Sequence, residues 1–178
     1  MSRSFQAHRL NVQAFAQEGD TLKSSTPLQK LERLASEAHG LQANSAADWE
    51  AHGELRQAGG EDQIWLHLSA KAVVPMACQR CMAAVSIPVE VDQWYRFVAT
   101  EDIAMAEDDE AVEDLLVMEP QFDLQALLED ELLMALPLVP MHEQCPGQTD
   151  LRQIAPVADD PAPEKPNPFA VLEQLKKK

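Results

Sequence analysis

Apolar and polar residues alternate through the middle of this chain. Trp49, Ala51, Gly53 and Leu55 are separated by Glu50, His52 and Glu54. Ile64, Leu66, Leu68 and Ala70 repeat the pattern in a segment that runs on to Val74. Val85, Ile87, Val89 and Val91 repeat it in a third, which continues through Trp94, Tyr95 and Phe97. A period of two puts one set of side chains on one face of a strand. Gly59-Gly60 marks a turn between the first two segments, so the pattern predicts an antiparallel meander. Pro88 has no N–H for a ladder, which assigns that part of the third strand to an edge or a bulge. Residues 20–25 read as extended, and 115–118 as a short returning strand.

Elsewhere the spacing is helical. Asn11 is placed to cap a short helix through Ala16, closed by Gly19. Thr26-Pro27 reads as a helix start, with Leu28, Leu31 and Leu34 on one face. Asp123 reads as the cap of a longer helix to about Leu136, with Leu124, Leu127, Leu128, Leu132 and Ala135 on its apolar side. Pro137 and Pro140 end it. The acidic segment 101–114 has little to bury and is expected to be a loop. From Pro146 onward Gly, Pro, Ala and acids dominate, and Pro156, Pro161, Pro163, Pro166 and Pro168 forbid a regular element. Residues 146–166 therefore read as a flexible linker. Residues 167–175 read as one short amphipathic helix, capped by Asn167 and followed by three lysines. The fold expected is α+β: an antiparallel sheet meander with flanking helices over 1–145, and a flexible tail over 146–178.

Composition changes this picture in one respect. The chain has 178 residues, is 46% hydrophobic and carries a formal net charge of −16. It can bury a core, but it lacks the cations that wrapping bare RNA requires. Half of its 30 acids lie in 97–151, which contains no Lys or Arg. Such a surface suits a basic partner. Asp108, Asp109 and Glu110 on the acidic loop, and Glu129, Asp130 and Glu131 on the helix, are the candidate partner-binding residues. They lack the alternating oxygen spacing of a calcium loop, and the plainer reading is a solvated acidic face. No stretch approaches the roughly 18–20 apolar residues of a membrane span, and residues 1–17 do not read as a signal peptide. Three cysteines do not suggest a disulfide framework. These features point to a cytoplasmic protein with no membrane partner and no small-molecule substrate. No Gly-rich phosphate loop, Ser-His-Asp set or His-Glu-x-x-His motif is present, so the chain reads as a non-enzyme.

The sharpest local motif is Cys78-Gln79-Arg80-Cys81, between two strands at an expected hairpin tip. Two thiolates with a two-residue gap can turn onto one tetrahedral metal ion. His142 and Cys145 offer a second pair with the same gap. Together they define a candidate Cys3His structural zinc site joining the hairpin to the helix end. Unpaired reduced thiols are the alternative, and a redox pair a remoter one, since redox pairs sit at helix starts.

Cys78-Gln79-Arg80-Cys81 between strands, Asp123-Leu124 opening an acidic Leu-rich helix, Ala135-Leu136-Pro137-Leu138-Val139-Pro140, and then His142 and Cys145 follow one another in an order that resembles the YceD family of large ribosomal RNA subunit accumulation proteins. Lys165-Pro166-Asn167-Pro168-Phe169-Ala170-Val171-Leu172 is similar to the proteobacterial members. The resemblance implies a non-enzymatic factor in the synthesis, processing or accumulation of large-subunit ribosomal RNA. Its implied partners are the large-subunit precursor, a basic ribosomal protein and ribosomal RNA. It supplies no catalytic residues. Some members of the family place further cysteines where this chain has His142, a substitution that keeps a residue able to ligate metal. Two other readings stay open: a zinc module touching RNA through its hairpin tip with Lys71 and Arg80, and a nuclease using the carboxylates with a divalent ion.

Overall fold

Strands β1 (Thr21–Pro27), β2 (Ala46–Ala58), β3 (Glu61–Ala77) and β4 (Ala84–Val98) form the expected antiparallel meander in a computed structural model that describes residues 5–146. The alternation read from the sequence is the alternation of faces. Ala47, Trp49 and Ala51 of β2 point inward, as do Leu66, Leu68, Ala70 and Val74 of β3 and Val89, Val91, Tyr95 and Phe97 of β4. Gly59 and Gly60 turn the β2–β3 hairpin with φ of 63° and 88°, the left-handed geometry that a two-residue hairpin of this hand demands. Pro88 pairs with Val73. The first part of β4 has no partner on its other side, because β5 (Asp114–Val117) pairs only from Tyr95 onward.

β5 runs parallel to β4, a departure from the meander. A parallel return needs a crossover, and 101–114 supplies it. This segment is not simply a loop: it forms helix α3 (Glu101–Glu107). The Thr100 hydroxyl accepts from the Ile103 N–H at 3.4 Å, and Glu101 and Asp102 occupy the first turn, where negative charge is favourable.

Arg96 on β4 ties the crossover down. Its guanidinium donates to Glu107 at 2.7 Å and to Glu113 at 2.5 Å. Burial alone would raise the Glu113 carboxyl, but the guanidinium outweighs it and holds the group below its usual value. A carboxyl depressed in the folded state stabilises fully above its unfolded pKa, and that contribution is lost as pH falls through the folded value. Arg96→Gln is therefore expected to be less stable than the parent at pH 7, the difference shrinking below a pH of about 4. Denaturant melts at several pH values check this, and two curves that stay parallel down to acid pH would contradict it.

The inner sheet face is covered by α1 (Val12–Glu18) and α4 (Leu124–Met134), and α2 (Glu32–Glu37) packs on α4. Leu10, Phe15, Leu28, Leu34, Leu124, Leu128 and Leu132 are fully buried in the core. Asn11 caps α1 by accepting from the Ala14 N–H, and Gly19 closes it at φ 60°. Asp123 caps α4 by accepting from the N–H groups of Gln125 and Ala126. The helix expected to start at Thr26-Pro27 begins later. Thr26 lies in β1, and its hydroxyl accepts from the Trp49 indole at 2.9 Å. Leu28 opens a single 3-10 turn before α2 starts at Glu32. On the outer face the Arg56 guanidinium lies 4.1 and 4.0 Å from the ring centres of Trp65 and Trp94, which leaves Trp65 only 8% exposed.

Beyond Pro146, the linker reading of 146–166 and the helix reading of 167–175 lie outside the described residues. Among the described residues, no helix is long and apolar enough to cross a membrane.

Candidate functional site

The end of β3 and the start of β4 are joined by the segment carrying Cys78 and Cys81. The Cys78 N–H donates to the Ala83 carbonyl at 2.9 Å, and the Met82 N–H to the Cys78 carbonyl at 2.8 Å. Met82 sits at φ 61°, the one described non-glycine residue with positive φ. A side chain held there costs about 1 kcal/mol or more. The turn it permits aims both sulfurs to the same side of the hairpin tip.

The second pair is carried by the strap that follows α4. Pro137 and Pro140 stop the helix from continuing, and the chain crosses to the hairpin. There the Gln79 N–H donates to the Pro140 carbonyl at 2.9 Å. Past that bond, the His142 N–H lies 3.5 Å from the Cys78 sulfur. Cys78 and Cys145 are buried, and Cys81 and His142 are half-buried.

The ligand atoms of Cys78, Cys81, His142 and Cys145 lie within 4.8 Å of one another. Cys78 Sγ is 3.8 Å from Cys145 Sγ, and Cys81 Sγ is 3.5 Å from His142 Nδ1. Zinc–sulfur and zinc–nitrogen bonds at a tetrahedral angle put S···S at about 3.8 Å and S···N at about 3.6 Å. Both measured separations match edges of one such tetrahedron. The thiols are free, and 3.8 Å is far longer than the roughly 2.05 Å of a disulfide.

The surroundings set the state of each group. His142 Nε2 lies 3.0 Å from the Ala84 carbonyl. A carbonyl only accepts, so this contact puts the proton on Nε2 and leaves the Nδ1 lone pair facing the sulfurs. Burial opposes the Cys78 thiolate, but backbone N–H groups of His142, Arg80 and Cys81 outweigh it and bring the thiol down to about 5. Burial, then the neighbouring Cys81 and Cys78, push Cys145 up to about 11. A cation among these sulfurs would relieve that repulsion.

The candidate partner-binding acids fall into two groups. Asp108, Asp109 and Glu110 are exposed after α3. Glu129 and Asp130 are bound by Arg33. Glu129 Oε1 accepts from the backbone N–H groups of Arg33 and Leu34 at 2.7 and 3.2 Å, and the Arg33 guanidinium reaches both carboxylates. Glu131 is only 9% exposed and faces Tyr95. Burial and that carboxylate hold the Tyr95 phenol well above its usual range. Sequence reasoning overlooked Arg33, which stands 96 residues from Glu129 with no local signal. It also overlooked Met82 and the carbonyls of Ala84 and Pro140. Of the two cations at the hairpin considered for RNA, Lys71 is paired with Glu90 at 3.1 Å, and Arg80 lies against the Met141 sulfur.

Fold and cluster together define an α+β protein in which four Cys and His side chains join a hairpin tip to the end of a helix. The family model described as Large ribosomal RNA subunit accumulation protein YceD matches residues 66–176, more than half of the chain and all four clustered residues. The chain belongs to the YceD family. A curated relative from Haemophilus influenzae, named Large ribosomal RNA subunit accumulation protein YceD, is 41% identical over 110 residues. That match covers 59% of this chain and 61% of the relative, so it spans about three fifths of the relative's length. No solved structure matches the chain.

Proposed function

We propose that this chain is a cytoplasmic, non-enzymatic factor that supports accumulation of large-subunit ribosomal RNA by binding, with a structural zinc ion held by Cys78, Cys81, His142 and Cys145. Membership of the YceD family, with a relative named for that role, is the observation that carries the functional part. The gathering of four ligand atoms within 4.8 Å, with two separations at the values expected around one tetrahedral ion, carries the metal part. Three thiolates and one imidazole suit zinc among the divalent ions. A full shell of four protein ligands leaves no open position, so the ion would hold structure and not activate water. Its work would be to pin the strap after α4 to the hairpin.

The partner that fits the charge is a basic ribosomal protein of the large-subunit precursor. Asp108, Asp109 and Glu110 are the acids exposed to meet it, because Glu129 and Asp130 already answer to Arg33. Exposed charges mainly set the association rate, and salt screens them over roughly 8–10 Å.

Cells depleted of the protein are expected to hold less mature large-subunit RNA relative to small-subunit RNA, measured by gradient profiling. An unchanged ratio would remove the functional reading. A triple variant, Asp108→Asn with Asp109→Asn and Glu110→Gln, is expected to slow association with the basic partner several-fold at low salt and to melt like the parent. Association indifferent to both salt and the substitutions would exclude steering by this loop.

A further inference from the structure

Four of the ten large apolar residues exposed among the described residues fall in one short stretch of chain. Leu138 is fully exposed, and Met134, Val139 and Met141 are 73%, 55% and 45% exposed. All four belong to the last turn of α4 and the strap behind it. The strap does not simply fray outward. The Leu136 N–H donates to the Leu133 carbonyl, Pro140 is buried, and its carbonyl accepts from Gln79. Between these two anchors the backbone is fixed, and prolines at both ends of Leu138-Val139 leave it little freedom to turn the side chains inward.

Beside them lies a groove of about 440 Å³ lined by Met76, Leu133, Leu136, Pro137, Leu138 and Pro140, with Glu37 and Gln79 at its polar positions. Glu37 is its one charged lining residue, and it makes no ion pair among the described residues. Leu133 and Leu136 bring the C-terminal end of α4 to the groove, and that helix has no basic residue of its own in its last turn to offset the negative end of its dipole.

We infer that this groove and the Leu138-Val139 ridge form a docking site for an apolar segment of a protein, flanked by Lys or Arg that meets Glu37 and the end of α4. The inference rests on the reading that the chain works by binding, and it names where the partner is held. The charge of the lining disfavours a nucleic-acid or membrane occupant, the nearest cation being Arg80 against Met141 at the edge of the patch. A phosphate chain needs cations, and the lining holds none. The Trp65 and Trp94 rings, which would stack on bases, lie elsewhere under Arg56. An anionic membrane surface attracts basic, not acidic, fringes. A basic protein segment fits better, gripped through the apolar area of Leu138 and its exposed neighbours Met134, Val139 and Met141. The loop acids 108–110 would then set the rate of arrival and the ridge the rate of departure.

The test uses the full chain against individually purified basic proteins of the large subunit and against a transcript of large-subunit RNA. Three variants are compared with the parent: Leu138→Asp, Glu37→Lys and, as a control, Val112→Asp. Leu138 and Val112 are both fully exposed, so neither aspartate should move the melting temperature. At least one ribosomal protein is expected to bind. Leu138→Asp should weaken that complex at least about tenfold, mainly through faster dissociation. Glu37→Lys should weaken it several-fold, and Val112→Asp should leave it unchanged. A ribosomal protein that binds all variants alike overturns the docking site and leaves the ribosomal reading standing. Binding of the transcript alone, sensitive to Leu138→Asp, also overturns it in favour of RNA. Absence of binding to both probes overturns the docking site and the binding reading together.

Discussion

Exchange of Cys78 for serine is expected to take bound zinc from about one ion per chain to none after dialysis against a mild chelator. Cys78 is the most constrained of the four candidate ligands. It is buried, its sulfur receives the His142 N–H, and it lies 3.8 Å from Cys145. A hydroxyl keeps the size of the side chain but is a poor ligand beside thiolates. Loss of the ion would loosen the strap on the hairpin, leaving the described hydrogen bonds from Gln79 to Pro140, His142 to Ala84 and Arg80 to the Met141 sulfur to hold it. Amide exchange should therefore speed at Gln79 and His142 and stay unchanged in α1. The melting temperature should fall by more than about 10 °C, and chelation of the parent should give the same fall. Element analysis of protein purified without chelator decides the matter. Parent protein with three reduced thiols and no zinc would end the metal reading and leave the family membership untouched.

Gly53→Ala is expected to be among the most damaging single methyl groups that can be added to this chain. A Cβ at Gly53 would stand 2.6 Å from Phe15 Cδ1 and 3.0 and 3.1 Å from the backbone N and Cα of Ala16. The phenyl ring is fully buried and cannot swing away, and the backbone of Ala16 moves only with the whole of α1. Helix α1 would have to lift off β2. The expected cost is about 2–3 kcal/mol, or roughly 6–12 °C in melting temperature. Gly19→Ala makes the contrast. There a Cβ meets nothing within 4 Å, but φ is 60°, so the cost is the left-handed conformation alone, about 1 kcal/mol. Denaturant melts of the two variants compare a clash with a conformational penalty. Equal losses would mean that α1 does not press on β2 as closely as the glycine implies.

Both predictions rest on features of unequal visibility in the sequence. The sheet was legible because its rule is local: alternate side chains face alternate ways, and Gly59-Gly60 admits few conformations besides a hairpin. Asn11 and Asp123 were legible as caps because a cap bonds N–H groups two or three residues away. The two ligand pairs were visible as pairs, because each spans only a two-residue gap. Other elements were set by distant partners. Thr26 looked like a helix cap until Trp49, 23 residues on, took its hydroxyl. The acids of 101–107 looked like a solvated loop, yet Arg96 draws Glu107 and Glu113 together and a helix closes between strands that run parallel. Glu129 and Asp130 read from the sequence as free to meet a partner, but Arg33 holds both. In each case a polar side chain had several possible uses, and tertiary contact chose among them.

That last contact has a consequence for how the protein is made. Helix α2 has six residues and no side-chain cap of its own at Leu31, too short to persist alone. The carboxylate of Glu129 accepts from the N–H groups of Arg33 and Leu34 in the first turn of α2, from about 96 residues further along. A chain leaving the ribosome at about 5–20 residues per second therefore waits roughly 5–20 seconds between exposing α2 and delivering its cap. During that interval Leu28, Leu31 and Leu34 have no α4 to pack on. Residues 28–37 are thus clients of the second half of the chain, completed only when synthesis has passed Glu129.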